Sequence, residues 1–184
     1  NAAYRDSGIT FNTVNDISVD AGGSVWLATD RGLAKYDGTS WETFVPGGDG
    51  LLYPALCGVA ADSAGGVWIA YGYSAQSPRK ISRFDGARWR HFAFDGPSSN
   101  EIAAVGVDRD GVKWFSAQGG GLSGFDGVSW KTIMPAGADE RWYFRDFAVD
   151  AAGARWFATQ WGLWRFDGAG WKVFTTANSG IVSD

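Results

Sequence analysis

Apolar residues in this chain come in short bursts that recur at a fixed interval. Ile17, Val59, Val105 and Phe147 each stand three residues after a bulky partner: Val14, Leu56, Ile102 and Phe144. Two residues further on stand Val19, Ala61, Val107 and Val149, while the intervening Ser18, Ala60, Gly106 and Ala148 are all small. One bulky face and one cramped face at a period of two predict a short strand. The small alternates suit an innermost strand, where several strands crowd around an axis. A second burst follows each time, at residues 25–28, 67–70, 113–116 and 155–158, apolar on both faces. That pattern predicts a strand sandwiched between neighbouring sheets. A further segment, at 41–44, 89–92, 130–133 and 171–174, alternates apolar with polar residues and predicts an outer strand with one wet face.

The punctuation between bursts repeats as strictly. Asp20, Asp62, Asp108 and Asp150 each precede a Gly by three residues and a Trp by six. Asp in such a turn caps backbone amides two residues on, and Gly supplies the positive φ. Asp37-Gly38, Asp85-Gly86, Asp126-Gly127 and Asp167-Gly168 are strong hairpin signals, each followed by a Trp four residues after the Asp. Self-similarity at 41 to 48 residues marks a solenoid, a propeller or an array. Four antiparallel strands per repeat, narrow inside and half-polar outside, predict an all-β β-propeller made of four-stranded antiparallel blades.

The motif Val-x-x-Ile-x-x-Asp-x-x-Gly-x-x-Trp, continued by Gly-Leu-x-x-Phe-Asp-Gly-x-x-Trp, resembles the two-component regulator propeller repeat. The resemblance runs from about Ser7 to the end of the chain. It implies a bacterial ligand-sensing propeller, of the kind found in sensor domains of membrane histidine kinases and in secreted or lipid-anchored proteins. The blades are expected at about 13–46, 54–95, 101–135 and 143–176 of a single domain or arc over 1–184, with 177–184 leading into a next blade. Ser179-Gly180-Ile181 repeats Ser7-Gly8-Ile9 at that point. Two arrangements follow: a closed four-bladed ring, or an excised arc, half of a larger ring, for which a homodimer is one way to complete the ring.

Composition narrows the partners. Net charge is −4, with no basic cluster beyond Arg79-Lys80, which argues against nucleic acid. No apolar run is long enough for membrane insertion. The lone Cys57 cannot form an intrachain disulfide and reads as a small buried hydrophobe. The chain opens at Asn1 and reads as a processed mature protein or an excised piece. Scarce Cys and abundant Trp suit the periplasm or the exterior of a bacterium.

Candidate chemistry lies where the repeat breaks. Turns between strands one and two, and three and four, share one face of a propeller and carry the repeated motifs. The irregular residues fall on the opposite face, and variety there reads as binding. The expected ligand-binding residues are Trp161, Trp142, Tyr143, Arg141, Tyr71, Tyr73, Tyr53, Gln160, Gln118 and Arg31. Eight of the 11 Trp residues belong to the repeat and fill space between blades. Trp164 is expected to do the same, whereas Trp161 and Trp142 offer either a platform for a sugar ring or a plug for the channel mouth. Asp16 and Asp146 replace Gly58 and Ala104 on the cramped face and are expected to line the channel, as a cation-binding or acid–base pair or as solvated carboxylates. His91 is the only histidine, so a His-based triad or multi-His metal site is excluded. No cofactor and no metal is expected. The function expected is a non-catalytic extracytoplasmic module that binds a small molecule, glycan or peptide, or a protein partner. The alternatives are a structural subunit acting as an interaction platform, and a polysaccharide-active lyase or glycosidase using Asp16, Asp146, Asp139 or Glu140.

Overall fold

A computed structural model of the chain describes residues 13–72, 80–93, 102–117, 121–133 and 144–182. These residues form sixteen strands and no helix. The first blade holds β1 (Val14–Val19), β2 (Val25–Thr29), β3 (Gly32–Tyr36) and β4 (Trp41–Phe44); the second holds β5 (Leu56–Ala61), β6 (Val67–Tyr71), β7 (Lys80–Phe84) and β8 (Trp89–Ala93). The third holds β9 (Ile102–Val107), β10 (Lys113–Ala117), β11 (Gly121–Phe125) and β12 (Trp130–Ile133); the fourth holds β13 (Phe144–Val149), β14 (Arg155–Thr159), β15 (Gly162–Phe166) and β16 (Trp171–Phe174). Each blade is an antiparallel meander with its strands in sequence order. The blades group into two compact units, Asn1–Phe94 and Asp95–Asp184.

The repeated spacings have a direct cause. Asp20 Oδ1 accepts the N–H groups of Gly22 and Ser24, each at 2.9 Å. Its Oδ2 accepts the indole N–H of Trp26 at 2.8 Å. The same bond joins Asp62 to Trp68 at 2.9 Å, Asp108 to Trp114 at 2.7 Å and Asp150 to Trp156 at 2.8 Å. One carboxylate therefore closes the turn and satisfies the polar edge of a large ring. The turn glycines have φ of 85°, 81°, 76° and 84° in blade order. At the other hairpin, the ring before the Asp packs against the Trp that pairs with it across the ladder, stacked in the first three blades and tilted in the fourth. Tyr36–Trp41, Phe84–Trp89, Phe125–Trp130 and Phe166–Trp171 all have centroids 4.8 Å apart.

The core lies between adjacent blades. In unit 1 it joins Trp26, Leu33 and Phe44 to Leu56, Val59 and Ile69. In unit 2 it joins Trp114 and Leu122 to Phe144 and Phe157. Trp164 belongs to this second core, as expected of a third-strand Trp. The small residues of the inner strands make room for a neighbour: a Cβ on Gly106 would stand 2.0 Å from the ring of Phe147.

Inner strands pair on one side only, so their outer edge carries backbone groups without ladder partners. The first blade supplies these partners to the second. Asp16 Oδ2 accepts Val59 N–H at 2.9 Å, Ser18 Oγ accepts Ala61 N–H at 3.0 Å, and Asn15 Nδ2 donates to the Leu56 carbonyl at 2.8 Å. A register shift between Val14 and Asp16 recurs at Leu56/Gly58 and Phe144/Asp146, a bulge that bends the strand at the docking position.

Candidate functional site

Trp161 sits in the turn between β14 and β15 and is 52% exposed. The turn beneath it is rigid. Thr159 Oγ1 donates to the Gly162 carbonyl at 2.9 Å and accepts the Trp161 backbone N–H at 3.0 Å. Gly162 has φ of 103°, and a Cβ there would lie 2.3 Å from the Phe174 carbonyl oxygen. The first blade builds the same turn from Thr29 and Gly32, with exposed Arg31 at the place of Trp161. Thus the backbone is common to both turns and the exposed side chain is particular to each. A fixed, open indole can stack on a flat apolar face at little cost in conformational entropy. Gln160, beside it, is half-buried.

Other expected site residues lie elsewhere. Tyr71 is in the core, not on a binding surface: its hydroxyl accepts Leu52 N–H at 3.2 Å and lies 2.9 Å from Ser82 Oγ. Burial raises its phenol above the ordinary range, against the lowering effect of these hydrogen bonds. Ser82 Oγ also meets His91 Nδ1 at 2.8 Å, which ties the lone histidine into this network. Tyr53 is half-buried and packs edge-on against Tyr71, with centroids 5.5 Å apart. Asp16 is half-buried, and its oxygens accept the Ile17 and Val59 N–H groups, so this carboxylate serves as a strand connector. Asp146 is exposed, with Oδ1 accepting Phe147 N–H at 2.8 Å. The two aspartates belong to different units. Burial pushes the half-buried Cys57 thiol up to about 12, so it is protonated and a poor nucleophile at neutral pH. Arg141, Trp142, Tyr143, Tyr73, Gln118, Asp139 and Glu140 fall outside the described residues.

Unit 2 contains a feature that the sequence reading passed over. A groove of about 360 Å³ opens between its two blades, bordered by Trp114, Gly124, Lys131, Arg155 and Phe166. One of its borders is a position without a side chain. Lys35, Arg83 and Arg165 occupy the Gly124 position in the other blades. Lys35 and Arg165 lie over the Trp of their own blade, at 5.0 Å and 5.8 Å. Arg83 pairs with Asp62 at 2.8 Å. Gly124 offers no cation, and Arg155 arrives from the neighbouring blade. It pairs with Asp108 at 2.6 Å and lies 4.9 Å over the Trp114 ring. Burial raises the Asp108 carboxyl, but Trp114, Arg155 and the Val112 N–H outweigh it and the net shift is downward. The signal was present as a basic residue directly before Trp156 and a glycine where the other blades have a cation.

Among the described residues, no group of three or more His, Cys, Asp or Glu side chains is placed to hold a metal ion. None of them forms a helix long and apolar enough to cross a membrane.

No family model and no curated relative matches the chain. Solved structures do. One is the extracellular domain of a hybrid two component system from B. thetaiotaomicron, with TM-score 0.70 and 15% identity, covering 94% of this chain and 24% of that one. Another is virginiamycin B lyase from Staphylococcus aureus, with TM-score 0.68 and 16% identity, covering 92% of this chain and 56% of that one. A third is PorZ, a surface component of the type-IX secretion system of Porphyromonas gingivalis, with TM-score 0.61 and 19% identity, covering 92% and 28%. The chain thus spans from about a quarter to just over half the length of these proteins. At such identities the likeness establishes the fold: four four-stranded antiparallel blades of the propeller type.

Proposed function

We propose that this chain is a non-catalytic ligand-binding module of an extracytoplasmic sensor propeller, which recognises a glycan or peptide on the face that carries Trp161. The observation behind this reading is the exposed indole on a turn whose backbone is locked by Thr159 and Gly162. The likeness to an extracellular sensor domain supports the sensing role and a periplasmic or extracellular location. Gln160, on the same turn, is the described residue of that unit that would extend the site.

The test is a glycan and peptide array followed by titration of any hit against Trp161→Ala. Loss of one stacking ring is expected to weaken binding about tenfold, with folding unchanged. Equal affinity of the variant would remove Trp161 from the site, and an array without hits would reject the glycan or peptide reading.

A second reading, as an assembly subunit, is favoured by the likeness to a surface component of a secretion system. The polysaccharide-active alternative is weakened by Asp16, whose carboxylate is engaged by backbone N–H groups of two blades. Lyase propellers among the similar structures keep the reaction itself a matter for assay. Turnover of polysaccharides, lost in Asp146→Asn, would favour that reading.

A further inference from the structure

The groove of unit 2 has hydrogen-bonding groups that do not balance. Its apolar border is Val112, Ile133 and Phe166, all half-buried, and Gly124 adds bare backbone beside the Trp114 ring. The acids at this seam are spent. Asp126 uses Oδ1 for the N–H groups of Val128 and Ser129, and Oδ2 for the Ser129 hydroxyl. Asp108 uses Oδ1 for the N–H groups of Asp110 and Val112, and Oδ2 for the Trp114 indole and Arg155.

The donors are not spent. Arg155 commits Nε and Nη2 to Asp108 Oδ2, and its Nη1 has no acceptor among the described residues. Exposed Asp110 stands 3.7 Å from Nη2. Lys131 is exposed and pairs with no carboxylate among the described residues. Across the ladder it faces Gly124, whereas the first blade sets Lys35 opposite Glu42 at the same rung. The third blade thus has a cation at this rung and no acid.

We propose that this groove binds a small aromatic carboxylate. The ring packs against Phe166, Ile133 and Val112, and the carboxylate accepts from Lys131 Nζ and Arg155 Nη1. What the groove lacks is an acceptor with charge, and apolar borders favour its being carried on a flat ring. A cationic guest is disfavoured, because Arg155 already holds the cation position over Trp114, 4.9 Å from the ring centroid. A volume of about 360 Å³ is near the lower end for small-molecule sites, and suits one or two fused rings better than an oligosaccharide. The site is separate from that of Trp161, since Trp161 precedes β15 and Phe166 ends it.

Titration of the full chain with 2-naphthoate, followed in the indole region of proton–nitrogen spectra, tests this. The Trp114 indole N–H, bonded to Asp108 beside Arg155, is expected to shift with a Kd of about 0.1–1 mM. The Trp26 and Trp68 indoles, in unit 1, are expected to stay in place. Neutral 2-naphthamide is expected to bind about tenfold more weakly, and 2-naphthylmethylammonium weaker still. Lys131→Ala, at an exposed position where folding tolerates the change, is expected to weaken 2-naphthoate about fivefold and to leave 2-naphthamide unchanged. Trp161→Ala is expected to bind 2-naphthoate as the wild type does. A Trp114 signal that does not move overturns the proposal. So does an amide or ammonium that binds as tightly as the carboxylate, full affinity in Lys131→Ala, or loss of binding in Trp161→Ala.

Discussion

Two blade seams in this protein meet the same electrostatic need from opposite sides. Between the first and second blades, Lys35 covers Trp26 from its own sheet, and the neighbouring blade contributes Val67 to the seam. Between the third and fourth, the home position is Gly124, and the neighbour contributes Arg155 in place of valine. In both seams a Trp holds an Asp turn and a cation lies over its ring. The difference shows that a repeat conserves an arrangement of charge and ring in space, while the strand that supplies each part is free to change. It also has a cost in packing, since the groove in unit 2 borders Gly124 and Arg155.

Removing Arg155 should separate the seams most sharply. The Asp108 side chain is 1% exposed, and its Arg155 partner 12%. Arg155→Ala leaves a buried carboxylate short of its counter-charge, which is expected to cost about 3–5 kcal/mol in chemical denaturation. Arg165→Ala, at a more exposed pair, should cost under about 1 kcal/mol. Equal losses would mean that the two cations are equivalent after all.

The exchange itself can be run backwards. A Cβ on Gly124 would lie 2.8 Å from the Trp114 ring, so Gly124→Lys alone is expected to cost about 1–3 kcal/mol. Combined with Arg155→Val, it recreates the arrangement of the first seam, and the double-mutant cycle should show a favourable coupling of about 1 kcal/mol or more. Additive losses would refute the idea that one position substitutes for the other.

Acid should weaken both units, and the sign is fixed by the direction of the shifts. Asp20, Asp62, Asp108 and Asp150 all have folded pKa values below the ordinary carboxylate range. Asp126 reaches about 2, chiefly through the Ser129 and Val128 N–H groups. Their contribution is fully present above the unfolded pKa of about 4 and is lost as pH falls through the folded values. The deficit of Arg155→Ala relative to wild type should therefore shrink below about pH 4. A deficit that is constant down to pH 2 would show that the lost contact was packing and not charge.

The smallest effect is expected at Ser116, which stands where the other blades carry Ala28, Ala70 and Ala158. Its hydroxyl is buried without a hydrogen-bond partner, so Ser116→Ala should be neutral or stabilising by up to about 1 kcal/mol. Destabilisation on heating would contradict this.

The blades were readable because their determinants are local. Strand period, Asp-x-x-Gly turns and Asp-Gly hairpins each act within a few residues, and the six-residue step from Asp to Trp is the reach of one carboxylate across its own turn. What was not readable depends on residues far apart in sequence or on backbone atoms. Tyr71 looked like a loop aromatic, but its hydroxyl partners lie at Leu52 and Ser82. Asp16 looked like a channel acid, but its partner is a backbone N–H 43 residues away, which every residue type but proline offers. Arg155 was visible only as a strand residue, because reading each blade in its own column hides an exchange between columns. Trp161 stood out as a pattern-breaker, and it is exposed on its turn.

The four carboxylate–indole bonds also furnish the protein with an internal gauge of its own opening. Each blade holds one indole N–H against a turn aspartate at 2.7–2.9 Å. Such protons resonate apart from the amide envelope and exchange with solvent only when their turn releases them. One spectrum can thus follow four blades separately, and an order of exchange among Trp26, Trp68, Trp114 and Trp156 would rank the blades by how readily each comes undone.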